Sequence, residues 1–249
     1  METIARPRRQ EDRGIQYDIK SPMRFLFAGQ LQHIILLACL LPGGIYLALP
    51  ALDGATWLGI TDSTWFYVAI LVAVVHQIVG WFVLRMQLVF SLFTRLFGRY
   101  DLAVWGGIFF LLFILRPISV TALGLADFGS LEPLRGLQIV LGLILLVPVV
   151  YTGWSIERYF GVPRALGGDH FRPQYREMPL VKEGAFKYSS NAMYTFAFLL
   201  FWAIALLTGS RAALAAALFQ HAYIWVHMYC TEAPDMQVIY GKYSEPIRG

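Results

Sequence analysis

The last apolar stretch of the chain carries two ionisable side chains, His221 and Glu232. They are 11 positions apart in the sequence, about three turns of an α-helix, so a regular helix places both on one face with Trp225 and Met228 between them. A neutral imidazole or a carboxylate can accept a proton, and aromatic rings beside a carboxylate suit a bound cation. The pattern predicts a pocket along this face.

The elements that must position these residues are membrane-spanning helices. The chain is 57% hydrophobic and only 14% charged, against about 25% charged residues in a soluble domain. This composition excludes a disordered chain, a coiled coil and a soluble dinucleotide-binding enzyme. Cys39 and Cys230 are too few for a disulfide framework or a zinc site, so no metal is expected. The net charge of +4 indicates basic loops facing an anionic membrane leaflet, with no nucleic acid as partner.

Six apolar stretches approach the ~20 residues that a helix needs to cross a bilayer. The predicted spans are residues 25–49, 65–84, 102–123, 137–154, 194–207 and 212–230. The last two come from one apolar run that is interrupted by the turn Thr208-Gly209-Ser210-Arg211. The expected fold is therefore all-α, an integral membrane bundle of about six transmembrane helices that ends in a helical hairpin.

Lys and Arg residues set the expected orientation, because they favour cytoplasmic loops. Of the 20 basic residues, 17 fall on one side of the six-span arrangement, and only Arg116, Arg135 and Arg211 fall on the other. A multi-pass protein with both termini in the cytosol is expected. A five-span alternative would place the C-terminal tail outside, with no basic bias to support it.

Polar side chains are energetically costly inside a membrane, so each one within the predicted spans needs an explanation. His33, His76 and His227 are expected to be neutral histidines bonded to neighbouring helices. Arg116 precedes Pro117 near a span end and is expected to snorkel to the interface. Arg85 is expected to end the second span.

A motif opens the hairpin. The residues are Leu180-Val-Lys-Glu-Gly184-Ala-Phe-Lys187-Tyr188-Ser-Ser-Asn191-Ala-Met193-Tyr194. They resemble the membrane S-adenosylmethionine-dependent methyltransferases of the isoprenylcysteine carboxyl methyltransferase and phospholipid (phosphatidylethanolamine) N-methyltransferase superfamily. In that superfamily a stretch like L-V-x-x-G-P-Y-x-Y-x-R-H-P-x-Y opens a transmembrane hairpin. Ser190, Asn191 and Ala192 replace the family Arg, His and Pro, which is closer to the phospholipid branch with its N-P-M-Y element.

A second motif closes the hairpin. Glu232 is followed by Tyr240-Gly241 and then Tyr243, which is similar to the Glu, aromatic-Gly and Tyr of the same superfamily. One member of the family's Glu pair is absent, because Ala233 follows Glu232. The resemblance covers roughly residues 140–245. It divides the chain into a cytosolic tail (1–24), N-terminal transmembrane helices (25–136) and a methyltransferase-like region with a cytosolic cofactor site (137–249).

The resemblance implies S-adenosylmethionine as cofactor and a membrane lipid as substrate, most simply a phospholipid amine such as phosphatidylethanolamine. The amine must first lose a proton, and a neutral His221 or Glu232 is the candidate catalytic acceptor, directly or through water. The residues expected to bind the cofactor are Gly184, Tyr188, Asn191, Tyr194, Glu232 and Tyr240. Asp235, three residues beyond Glu232, is expected to lie in a solvated tail.

The segment from Arg164 to Arg172 offers a place for the lipid phosphate. Arg164, His170 and Arg172 could bind it from the cytosolic side, next to the paired glycines Gly167 and Gly168. A plain turn is the alternative interpretation of this segment.

Three other functions stay open at this point. One is carboxyl or thiol methylation within the same superfamily, although the family Arg is missing at Ser190. Another is a membrane enzyme similar to the sterol reductases that bind a nicotinamide cofactor on this architecture. The last is a non-enzymatic relative that keeps the scaffold.

Overall fold

A computed structural model describes residue 19 and residues 21–241. The first part contains α1 (Pro22–Leu26), α2 (Gln30–Ala48), α3 (Asp62–Phe90), α4 (Leu92–Phe97) and α5 (Asp101–Ala126). The second contains α6 (Arg135–Ser155), α7 (Val162–Ala165), α8 (Pro173–Arg176), α9 (Leu199–Thr208), α10 (Arg211–His227) and α11 (Ala233–Tyr240). Three π-helical segments adjoin α6, α9 and α10: Ile156–Phe160, Met193–Ala197 and Met228–Glu232. Short 3-10 helices cover Leu49–Ala51, Gly98–Tyr100, Gly168–His170 and Gly184–Lys187.

Strands are confined, in the described ranges, to one small hairpin. There β1 (Thr56–Trp57) pairs antiparallel with β2 (Ile60–Thr61), with Thr56 opposite Thr61. The hairpin joins α2 to α3. The all-α class predicted from composition is confirmed.

Four helical stretches are long and apolar enough to cross a membrane: Pro22–Ala51, Asp62–Phe90, Leu92–Ala126 and Arg135–Phe160. They contain the first four predicted spans. The stretch Met193–Thr208 is shorter and also apolar, as predicted for the first arm of the hairpin. The protein is therefore an integral membrane helical bundle.

The turn of the terminal hairpin lies where the sequence predicts it. Gly209 adopts a left-handed backbone conformation (φ 63°) between α9 and α10. The Ser210 hydroxyl accepts a hydrogen bond from the Ala213 amide at 2.9 Å and so caps α10. The same hydroxyl donates to Asp127 at 2.6 Å, which fastens the turn to the end of α5.

Helix α10 lies at the centre of the bundle. It packs against α2, α3, α5 and α9. Small side chains let neighbouring helices approach closely in membranes, and five buried alanines do so here: Ala212, Ala213, Ala215, Ala216 and Ala217. The N-terminal helices α2, α3 and α5 therefore pack directly against α10.

The chain between α1 and α2 approaches the end of this central helix closely. Gly29 has φ 79°, and a Cβ there would overlap the Cys230 carbonyl. The Gln30 side chain donates to the Thr231 hydroxyl at 3.1 Å. Cys230 and Thr231, which precede Glu232, are thus held in place by contacts with the N-terminal part of the chain.

Two arginines correct the sequence-based expectations. Helix α3 continues past Arg85, and this side chain is fully buried. Arg116 does not snorkel: it is 3% exposed, and its Nε donates to Gln220 Oε1 at 2.9 Å. Each arginine donates at least one hydrogen bond inside the bundle.

Some predicted features lie outside the described residues. These are most of the tail expected at residues 1–24, as well as Tyr243 and the basic residues Lys242 and Arg248.

Candidate functional site

The open end of the hairpin brings Tyr194 and Glu232 together. The Tyr194 hydroxyl donates a hydrogen bond to Glu232 Oε2, across 38 positions of sequence. Both residues belong to π-helical segments, Met193–Ala197 and Met228–Glu232. Such segments are uncommon in helices and frequent at functional sites. The two motifs therefore converge at one place.

Other aromatic rings lie next to Tyr194. The Tyr194 ring centroid lies 6.2 Å from that of Trp225 and 6.4 Å from that of Phe198, both nearly edge-on. Trp225 is in turn 6.1 Å from Tyr229. Glu232, which is bonded to the Tyr194 hydroxyl, is half-buried. A carboxylate next to aromatic faces can hold an organic cation.

His221 reaches the same region through other partners. Its Nδ1 accepts a hydrogen bond from Trp202 Nε1 at 3.0 Å, and its ring lies 5.8 Å from Phe198. A neutral imidazole that accepts at Nδ1 carries its proton on Nε2. The geometry therefore favours Glu232 over His221 as a proton acceptor. The face shared by the two residues in a regular helix is altered by the intervening π-helical turn.

Gly184 docks the first motif onto α6. Its φ is 59°, and a Cβ would come within 2.8 Å of Ser155 Cβ. The Ser155 hydroxyl accepts a hydrogen bond from the Ala185 amide at 2.9 Å. Gly184 thus permits a close approach between two parts of the chain and positions the motif.

Asn191 and Tyr188 lie between Gly184 and Tyr194. The Asn191 carbonyl accepts hydrogen bonds from the amides of Tyr194 (3.0 Å) and Thr195 (2.9 Å), so Asn191 opens the turn that carries Tyr194. Tyr188 is exposed and lines a cavity of about 450 Å³ with Tyr151 and Phe196. These positions are compatible with ligand contact from the motif.

A second cavity, of about 460 Å³, is lined by other residues of the same segment. Its polar lining includes Arg164, Lys182, Lys187 and Ser190. Arg164 donates to the Pro179 carbonyl at 2.9 Å and lies over the Phe160 ring at 4.9 Å. Among the residues that the structure describes, three basic residues and no acidic residue line this space, which favours an anionic ligand.

Arg172 and His170 do not line either cavity. Arg172 makes a bidentate pair with Asp101, with Nη1 donating to Oδ2 at 2.8 Å. His170 lies between two carboxylates, with Nδ1 3.0 Å from Asp169 and Nε2 3.6 Å from Asp235. Of the three residues predicted to bind a lipid phosphate, Arg164 alone lines one of these two cavities.

Tyr240 joins the charged cluster around His170. Its hydroxyl donates to Asp169 Oδ2 at 2.8 Å. Burial acts to lower the pKa of His170, but Asp169 and Asp235 outweigh it and raise that pKa to about 10. Burial acts to raise the pKa of Asp169, whereas hydrogen bonds from His170 and Tyr240 lower it overall. His170 is therefore a cation at neutral pH.

Sequence reasoning missed the role of Asp235. Asp235 is 1% exposed and forms an ion pair with the fully buried Arg85. The prediction that Asp235 lies in a solvated tail was therefore wrong. The available signal was Arg85 itself, a cation near the end of an apolar stretch that needed a counter-ion.

Comparisons with known proteins find similarity in the same part of the chain. Residues 137–243 match the family described as phospholipid methyltransferase. The phosphatidylethanolamine N-methyltransferase of Malassezia globosa is 28% identical over 138 residues. That match covers 55% of this chain and spans only 14% of the relative's length. No solved structure matches the chain. The superfamily resemblance of the two motifs is confirmed, because the match to the phospholipid methyltransferase family at residues 137–243 includes both of them.

Proposed function

We propose that the protein transfers a methyl group from S-adenosylmethionine to the amine of a membrane phospholipid such as phosphatidylethanolamine. The observation that carries this proposal is the Tyr194–Glu232 pair, set among aromatic rings at the mouth of the hairpin. It lies inside the region that matches phospholipid methyltransferases. The amine acceptor is inferred from the name of the relative and from the absence of the family Arg at Ser190.

The residues at this site fit a cofactor with a sulfonium and an amino group. When bound, S-adenosylmethionine would supply an electrophilic methyl group. Glu232 would accept hydrogen bonds from the amino group, while Tyr194 and Trp225 would face the positive charge. Asn191 and Tyr188 would border the cofactor, and Gly184 and Tyr240 would hold the surrounding segments in place.

The chain's part in the reaction is to position the reactants and to receive a proton. Alignment of two reactants can contribute roughly 7–11 kcal/mol to lowering a barrier. The lipid ammonium must lose a proton before its nitrogen can attack. Glu232 has a carboxylate oxygen, Oε1, that does not take part in the bond from Tyr194. It would accept this proton directly or through water.

The second cavity is the proposed place for the lipid phosphate. Arg164 lies there with Lys182 and Lys187, and the apolar side chains Leu180 and Phe186 could contact the acyl chains. By the distribution of basic residues, we place this cavity and both termini on the cytosolic side.

The test is a methyl-transfer assay with the purified full chain in detergent. S-adenosylmethionine with a labelled methyl group is offered with phosphatidylethanolamine, a lipidated cysteine carboxylate or a small thiol. Label in phosphatidylethanolamine alone is the expected result. Label in another acceptor would assign a different substrate, and nicotinamide dinucleotide binding without S-adenosylmethionine binding would overturn the proposal.

Glu232→Gln should lower the transfer strongly. Glu157→Gln is the matched control, because Glu157 is an exposed acid at the end of α6. Equal loss in both variants would remove the assignment of Glu232.

A further inference from the structure

A polar cluster lies inside the bundle where α2, α3, α5 and α10 meet. Each member is less than one-tenth exposed: His33, His76, Gln77, Arg116, Gln220, Tyr223 and His227. The proposed methyl transfer uses none of them. Polar groups inside a membrane bundle are costly, so such a concentration requires a physical reason.

The three histidines and Gln77 of this cluster are close neighbours. His33 Nε2 lies 2.8 Å from the Tyr223 hydroxyl, and the His33 and His227 rings are 6.2 Å apart. His227 packs over Gly80, where a Cβ would be 3.8 Å from its Cε1. His76 and Gln77 precede Gly80 by four and three positions, so they lie on the same face of α3.

Arg116 brings a positive charge into this cluster without a carboxylate to balance it. Its contacts are the Gln220 side-chain carbonyl and the rings of Phe198 and Phe201, at 4.9 and 5.3 Å. Among the residues that the structure describes, no ion pair includes Arg116. A buried charge without a counter-ion is strongly unfavourable.

Five buried nitrogens of the cluster have no hydrogen-bond partner within the described ranges. They are Arg116 Nη2, Gln77 Nε2 and the Nδ1 atoms of His33, His76 and His227. Guanidinium and amide nitrogens can only donate, and a neutral imidazole can donate from Nδ1. The group that these atoms lack is therefore a hydrogen-bond acceptor. An acceptor with one negative charge would also balance Arg116.

We propose that this cluster is an intramembrane site for a monovalent anion. Its chemistry fits either a halide or the singly charged phosphodiester of a membrane lipid, with Arg116 as the counter-charge and Gln77 and the histidines as donors. The site is independent of the proposed methyl transfer. It is also separate from the cavity of Arg164.

The experiment measures the thermal unfolding midpoint of the purified full chain in an uncharged detergent. In one arm, chloride replaces gluconate at constant ionic strength. In the other, without chloride, phosphatidylcholine is compared with diacylglycerol, which lacks the phosphate. We expect a saturable rise of the midpoint. A rise with chloride alone identifies a free halide, and a rise with phosphatidylcholine alone identifies the lipid phosphodiester.

Variants locate the effect. Arg116→Gln should abolish the rise, Arg116→Lys should keep part of it, and Arg99→Gln, an exposed cation on the surface, should respond like the wild type. If Arg116→Gln does not fold, Gln77→Leu keeps the charge and should weaken the anion's apparent affinity about tenfold. No rise in the wild type in either arm overturns the proposal. So does an unchanged response in Arg116→Gln, or unchanged affinity in Gln77→Leu. S-adenosylmethionine binding, measured on the same samples, tests the proposed function separately.

Discussion

Arg85 and Asp235 form a buried ion pair across 150 positions of sequence. Neither side chain is more than 1% exposed. The Arg85 guanidinium also donates to backbone carbonyls of Phe25, Leu26, Ala28 and Thr231. One arginine in α3 thus holds both the N-terminal helix and the helical end that carries Glu232.

Asp235→Asn should destabilise the protein severely. The substitution leaves the Arg85 charge buried without its counter-ion, and loss of one partner of a buried pair costs about 3–5 kcal/mol. The measurement is the thermal unfolding midpoint in detergent. Glu157→Gln, at an exposed acid, should leave the midpoint unchanged. An equally stable Asp235→Asn would restore the view that Asp235 lies in a solvated tail.

Stability should fall as the pH rises above neutrality, through His170. The pKa of His170 is raised to about 10 in the folded protein, against about 6.5 in an unfolded chain. The folded state therefore binds the proton more tightly, and this contribution is complete below about pH 6.5 and lost as the pH approaches 10. The unfolding midpoint should decrease over this interval.

His170→Gln is the matched test for that pH dependence. It removes the titrating group, so the decline between pH 7 and pH 10 should become shallower. Asp169 has a lowered pKa and loses its contribution only on acidification, so it does not produce the alkaline decline. An unchanged alkaline slope in the variant would contradict the role of His170.

Local signals in the sequence predicted the hairpin, because the adjacent residues Gly209 and Ser210 supply a left-handed turn and a helix cap. The meeting of Tyr194 and Glu232 also followed from the sequence, since both ends of a hairpin lie on one side of the membrane. The Arg85–Asp235 pair was not predictable in this way. Its partners are distant in sequence, and no periodicity links them.

The positions of Arg116 and of the π-helical segments also escaped prediction. Arg116 precedes Pro117, a pattern typical of a span end, yet α5 continues to Ala126. Arg116 therefore meets Phe201 on α9 and Gln220 on α10. The π-helical turns depend on how the neighbouring helices pack, and simple hydrophobic periodicity does not distinguish them from α-helix.

Both chain termini should lie in the cytosol. Arg116 is buried in the bundle, so the opposite side keeps only Arg135 and Arg211 of the described basic residues. Arg135 is itself engaged with the Leu206 carbonyl at 2.7 Å. A reporter fused after Gly249 should give a cytosolic signal, and the same reporter inserted after Gly209 should give the opposite signal. An external signal after Gly249 would contradict the six-span arrangement.

Asn191→Leu should weaken S-adenosylmethionine binding and leave the fold intact. The structural contribution of Asn191 comes from its backbone carbonyl, which bonds to the amides of Tyr194 and Thr195 and is retained in the variant. Titration of the cofactor and the unfolding midpoint separate the two effects. Ser190→Ala, one position earlier, is the control. Unchanged cofactor affinity in Asn191→Leu would leave Asn191 with a purely structural role.

Glu232→Gln should separate the two roles open to this carboxylate. Hydrogen bonds to charged groups contribute about 1.5–3 kcal/mol, so loss of a contact with the cofactor's amino group should weaken binding roughly ten- to a hundred-fold. If Glu232 instead accepts the substrate proton, binding should stay near normal and turnover should fall, most at low pH where the lipid amine stays protonated. Binding is measured by titration, and turnover by the labelled-methyl assay.

Tyr194→Phe tests the same site by removing the donor of the hydrogen bond to Glu232. It removes the hydroxyl that donates to Glu232 and keeps the ring beside Trp225. Since the carboxylate remains, its effect should have the same character as that of Glu232→Gln and be smaller. Glu157→Gln should match the wild type in both measurements. If Glu232→Gln and Tyr194→Phe both bind and turn over like the wild type, neither residue belongs to the site, and the hydrogen bond between them only closes the end of the hairpin.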